Sequence, residues 1–90
     1  MSKWFMVCEV EKIDLVKALR QLPIFSLPMQ ENVTVDDEIY VYLKAPFDAL
    51  MYQLRVTAIK QAILPAIESK YYDNSYLNQQ SQYCKVEVLE

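Results

Sequence analysis

Ninety residues, 53% of them hydrophobic and including seven Tyr, three Phe and one Trp, suit a single domain with enough apolar bulk for a core. The net charge of −3, from nine basic and twelve acidic residues, argues against strong sequence-blind binding to nucleic acid, which needs many phosphate contacts, but leaves room for a local basic patch. With no His there is no Ser-His-Asp triad, no Cys-His pair and little scope for zinc, and with no Gly there is no phosphate-cradling loop or dinucleotide fingerprint.

The chain opens with a predicted strand from Trp4 to Val10, its apolar run nearly continuous. Trp4, Met6, Cys8 and Val10 share one face, and Phe5, Val7 and Glu9 the other. No apolar run approaches the roughly 20 residues that cross a bilayer. Glu9 and Glu11 follow the opening strand with no small-residue cleavage site, so a cytoplasmic chain with no membrane partner is expected. In that compartment Cys8 and Cys84 are read as reduced, buried thiols.

A short helix is predicted from Asp14 to Leu22, with Asp14 as N-cap, Leu15, Leu19 and Leu22 at helical spacing, and Pro23 as the stop. Residues 23–37 read as an irregular connection with one turn of helix at most, because Pro23, Pro28 and an acidic stretch interrupt it. Without Gly, left-handed turn positions should fall to Asn32, Asp36, Asp37, Asp48 or Asn74.

Glu38 to Lys44 is the clearest strand, Ile39, Val41 and Leu43 alternating with polar and Tyr residues. Ala45-Pro46-Phe47-Asp48 reads as a hairpin loop and Ala49 to Ile59 as the return strand. Pairing Leu43 with Leu50, Val41 with Tyr52 and Ile39 with Leu54 puts the large apolar side chains on one face and sets Glu38 opposite Arg55. Residues 60–82 read as a long connection with short helical pieces, broken at Pro65. Tyr83 to Leu89 is the last strand, with Cys84, Val86 and Val88 facing inward. Leu89-Glu90 resembles the linker before a C-terminal affinity tag, so 1–90 is read as one domain that is open to being a fragment of a longer protein.

Few residues point to chemistry. Asp36, Asp37 and Glu38 are consecutive acids that could approach a divalent cation, but a solvated acidic loop entering a strand is the favoured reading. No metal, no cofactor and no catalytic residue is expected. Trp4, Tyr40 and Tyr42 have the flat faces that stack on a base, and equally the bulk that covers a sheet. Lys44, Arg55 and Lys60 could form a modest anion site near the hairpin.

The segment Asp37-Glu38-Ile39-Tyr40-Val41-Tyr42-Leu43-Lys44-Ala45-Pro46 resembles the strand signature of EVE-like and related PUA-like domains, in which a Gly-Asp pair leads into a "VYIYVSAP"-type strand. Met51-Tyr52-Gln53-Leu54-Arg55-Val56 resembles the return strand, Ile63-Leu64-Pro65 a following Ile-Pro element, and Tyr83 to Leu89 the later strand of that family. Trp4-Phe5-Met6-Val7 resembles its aromatic opening. Asp36 stands where the family usually carries Gly, and Phe25 is the aromatic available in 23–35, where related domains often carry Trp.

The resemblance implies an α+β fold: a small, strongly curved antiparallel sheet or partly open β-barrel of PUA-like type, with short peripheral helices. It also implies a non-enzymatic module that binds RNA or DNA carrying a modified base. Trp4, Tyr42, Lys44 and Arg55 are then the expected contacts, aromatics stacking on bases and cations meeting phosphate. A second reading is a protein-interaction module whose acidic loop and exposed strand edge bind a protein partner. A small enzyme acting through carboxylates ranks last.

Overall fold

The computed structural model describes residues 2–28, 31–77, 80 and 82–89. The elements are β1 (Lys3–Cys8), α1 (Leu15–Gln21), β2 (Ile24–Pro28), β3 (Glu38–Leu43), β4 (Ala49–Gln61), α2 (Ala66–Ser69), α3 (Asn74–Leu77) and β5 (Tyr83–Val88). They build an α+β fold around one five-stranded sheet ordered β1-β3-β4-β5-β2. The polar stretch 78–82 is described only at Gln80 and Gln82, and residues 29 and 30 of the 23–37 connection lie outside the described residues.

The expectation of an antiparallel sheet is corrected. β1 runs parallel to β3, with Trp4 opposite Ile39 and Met6 opposite Val41, while the β2–β5, β3–β4 and β4–β5 pairs are antiparallel. Between β1 and β3 the chain crosses over through α1 and β2, and a crossover of this length is what parallel neighbours require. The sheet is not closed: β1 and β2 are its two edges.

The helix α1 forms as its pattern predicts. Asp14 caps it by accepting a hydrogen bond from the Lys17 N–H at 3.3 Å, Leu15 and Ala18 are fully buried, and Leu22 is extended at φ −121° ahead of Pro23.

Residues 24–28 are a strand, not the irregular connection expected there. Pro is tolerated at sheet edges, and β2 is an edge, with Phe25 opposite Val86 and Leu27 opposite Cys84. Ser26 turns both backbone polar groups away from β5. Its N–H donates to the buried Glu68 carboxylate at 2.5 Å, and its C=O accepts from the Tyr72 hydroxyl at 2.6 Å. Phe25 is fully buried beside the rings of Tyr71 and Tyr72, at centroid distances of 6.0 and 5.9 Å.

The β3–β4 hairpin keeps three of its expected pairs: Val41 with Tyr52, Ile39 with Leu54 and Glu38 with Arg55. The fourth is corrected. A bulge at Met51 shifts the register, so Leu43 faces Ala49 and Leu50 faces Tyr42 on the opposite surface. Left-handed φ occurs at Asn32 (70°), Asp36 (73°) and Asp48 (47°), as expected for a chain without Gly, but not at Asp37 or Asn74. Lys60, at 56°, takes it within the second irregularity of the β4–β5 pairing, between Ala58 and Gln61.

The core lies on the face that carries α1 and the 62–77 segment. Cys8, Val41, Leu43, Leu54, Val56, Phe25, Leu27 and Val86 meet Leu15, Ala18, Tyr71 and Tyr72 there. Val88, expected inside, is 38% exposed because it sits at the end of β5. Both cysteines are free and buried. No helix among the described residues is long and apolar enough to cross a membrane.

Candidate functional site

Alternation along each strand sends every second side chain to the face away from the helices. Phe5 and Val7 of β1 lie there beside Tyr40 and Tyr42 of β3, and these lie beside Gln53 and Leu50 of β4. A sheet packed on one face usually turns polar side chains to water on the other, yet here Phe5 is 62%, Leu50 57%, Val7 49% and Met51 40% exposed. Tyr40 and Tyr42 are half-buried. A shallow cleft of about 250 Å³ runs along Tyr40, Leu50, Met51, Tyr52 and Gln53.

The polar groups of this face are tied to one another. Gln53 Nε2 donates to the Glu38 carboxylate at 2.7 Å and to the Tyr40 hydroxyl at 3.3 Å, and the same hydroxyl donates to Glu38 at 3.3 Å. Arg55, whose cross-strand neighbours are Glu38 and Glu87, makes its ion pair with Glu87.

Of the four residues expected to contact nucleic acid, Tyr42 and Arg55 occupy this face and Lys44 follows directly at the end of β3. The Lys44 ammonium pairs with Glu9 at 3.4 Å. That contact, with Lys12 nearby, holds the Glu9 carboxyl below its ordinary range. Trp4 is elsewhere. It packs half-buried against the core on the helix-bearing face, and its indole N–H donates to Asp37 at 2.8 Å. Phe5 is the aromatic that β1 contributes to the open face, and the strict alternation of Phe5 and Val7 with Trp4 and Met6 is the signal for it.

Asp37 is not a solvated loop residue. It is 1% exposed and accepts hydrogen bonds from the Ser2 N–H at 2.8 Å, Trp4 Nε1 at 2.8 Å, and the Thr34 N–H and hydroxyl at 3.0 Å. Those donors, the Ser2 N–H foremost, hold its carboxyl far below the usual carboxylate range. One side chain thus ties the start of β1 to the loop before β3. Its neighbour Asp36 is exposed, and among the described residues no group of three or more His, Cys, Asp or Glu side chains is placed to hold a metal ion.

No family model, curated protein or solved structure matches this chain. The functional reading therefore stands on the open face and on the motif resemblance.

Proposed function

We propose that this chain is a non-catalytic, PUA-like nucleic-acid-binding module that stacks single-stranded or flipped, modified bases on the open face of its sheet. The observation that carries this reading is the cluster of Phe5, its cross-strand partner Tyr40, and Tyr42 two residues further along β3, on a face that no helix of the described residues covers. Base-on-aromatic stacking needs exposed ring faces and little net positive charge, which suits a chain of net charge −3. Lys44 and Arg55 supply phosphate contacts at the margins. Both already hold carboxylates, so binding should be weak and its salt dependence shallow. Trp4 is left out of the contact set, since its indole is committed to Asp37.

The test is an NMR titration at low salt with plain, methylated and hydroxymethylated oligonucleotides. Resonances of Phe5, Tyr40 and Tyr42 should move while those of Trp4 stay in place. Tyr42→Ala should cost about 1–3 kcal/mol of binding. Lys44→Ala should weaken binding alike for all sequences and flatten the salt slope further. If none of the open-face resonances moves, the nucleic-acid reading is wrong. The competing reading, a protein-interaction module, is favoured by Val7, Leu50 and Met51, which add aliphatic surface that bases do not need.

A further inference from the structure

The open face carries charges as well as rings, and they form one transverse row. Lys3 on β1 is the cross-strand partner of Glu38 on β3, Glu38 of Arg55 on β4, and Arg55 of Glu87 on β5. Across the sheet the signs run plus, minus, plus, minus. An alternating row of even length has a special property under a twofold axis. Rotation about an axis parallel to the strands, midway between β3 and β4, lays a second sheet face to face on the first with its row reversed. Every charge then meets its opposite: Lys3 over Glu87 of the second copy, and Glu38 over Arg55. The neighbouring row behaves likewise, with the Tyr40 hydroxyl brought over the Gln53 amide. The exposed Phe5, Val7, Leu50 and Met51 lie beside these rows.

We propose that a second copy of this chain docks on the open sheet face as an isologous, face-to-face dimer held in register by this charge row. Aligned sheets cross at about 30°. With strands about 4.8 Å apart, that angle displaces the outermost pairs by about 4 Å, within reach of Lys, Arg and Glu side chains. The footprint, four strands by about six residues, is smaller than the about 800 Å² per partner of a standard interface, so the dimer is reversible and concentration-dependent. The inference goes beyond the nucleic-acid reading and does not depend on it. It uses the same face, so bases and the second copy compete.

Sedimentation of the wild-type chain over a wide concentration range, without nucleic acid, should show a monomer–dimer equilibrium. Glu38→Arg alone sets Arg against Arg55 at two symmetry-related positions, and Arg55→Glu alone sets Glu against Glu38. Each should weaken self-association about 100-fold, tenfold per clash. Mixed together, the two variants regain full complementarity and should form a heterodimer. Lys3→Glu with Glu87→Lys repeats the design at the outer pairs, should either inner variant fail to fold. A wild-type chain that stays monomeric at every concentration overturns the proposal. So does a dimer whose strength ignores these substitutions, or a folded pair of complementary variants that do not associate. Because no oligonucleotide is present, a failed dimer leaves the base-stacking titration to be judged separately.

Discussion

Tyr72→Phe removes one oxygen from the best-packed part of the molecule and leaves the rings in place. Tyr72 is 6% exposed and lies between Phe25, Tyr76 and Tyr83, with centroid distances of 5.9–6.2 Å. Its hydroxyl donates to the C=O of Ser26, a residue 1% exposed and therefore without ready access to water. Phe keeps the packing but strands that carbonyl, and a buried polar group without a partner costs about 1–3 kcal/mol. Taking about 2 kcal/mol, and an unfolding entropy of about 2.1 cal/mol/K per residue, the melting temperature should fall by about 10 °C.

The pH dependence gives a second signature. Burial foremost raises the Tyr72 hydroxyl far above its ordinary value of 10. A folded-state pKa that is raised contributes stability below the unfolded value and loses it as pH climbs above that value. The wild type should therefore weaken above pH 10, and the Phe variant should lose less over the same range. Urea unfolding by circular dichroism at pH 7 and pH 11 measures both effects. At pH 7 Tyr76→Phe, whose hydroxyl has no hydrogen-bond partner among the described residues, is the control; burial raises its hydroxyl too, so at pH 11 it is not. An unchanged midpoint for Tyr72→Phe at pH 7 would show that the Ser26 carbonyl does not depend on this hydroxyl.

Asp37→Asn replaces an acceptor ringed by donors with a group that carries its own N–H bonds, so the urea midpoint at pH 7 should drop. The depressed Asp37 pKa contributes stability above the ordinary value of 3.8 that is lost as pH falls below it, and the Asn variant should lack this acid-dependent component; fluorescence of Trp4, the single Trp, reports both. Burial pushes the Cys8 and Cys84 thiols up to about 11, so the folded chain should react slowly with a thiol reagent at pH 8. Unfolded without reductant, it should show two thiols per chain, and a count of zero would mean that the two are bonded to each other.

What was legible in the sequence was the local part of the fold. β1, α1, the β3–β4 hairpin and β5 each carry a periodic pattern or a cap within their own residues, and each forms close to its expected bounds. The misses share a cause: partners distant in sequence. Ile24–Pro28 is too short for a periodic signal and is framed by prolines, and it becomes a strand only because residues 83–87 lie alongside. The parallel pairing of β1 with β3 leaves no trace in either segment alone. Asp37 looks like one acid among three, and its burial depends on donors from Ser2 and Trp4, more than thirty residues earlier. The bulge at Met51 turned Leu50 outward, so the aliphatic part of the open face could not be read from strict alternation. Of the candidate site, the hairpin pattern put Tyr42 and Arg55 on the same outer face, with Lys44 past the opposite end of β3 from Arg55, while Trp4, grouped rightly with Met6 and Cys8, was given a contact role that its packing against the core does not fit.

The two edges of this sheet are unequal, and that limits what the chain can build by adding strands. Endless fibres need each copy to offer two sticky edges, one to give and one to receive. On β2 the outward N–H and C=O of Ser26 are already occupied by Glu68 and Tyr72, and Pro28 has no N–H to offer. β1 carries no such pair of side-chain caps among the described residues. A strand added at β2 would have to displace two short hydrogen bonds to buried side chains, Glu68 and Tyr72, before it could pair with Ser26, so these two residues make one edge of the sheet the costlier to extend.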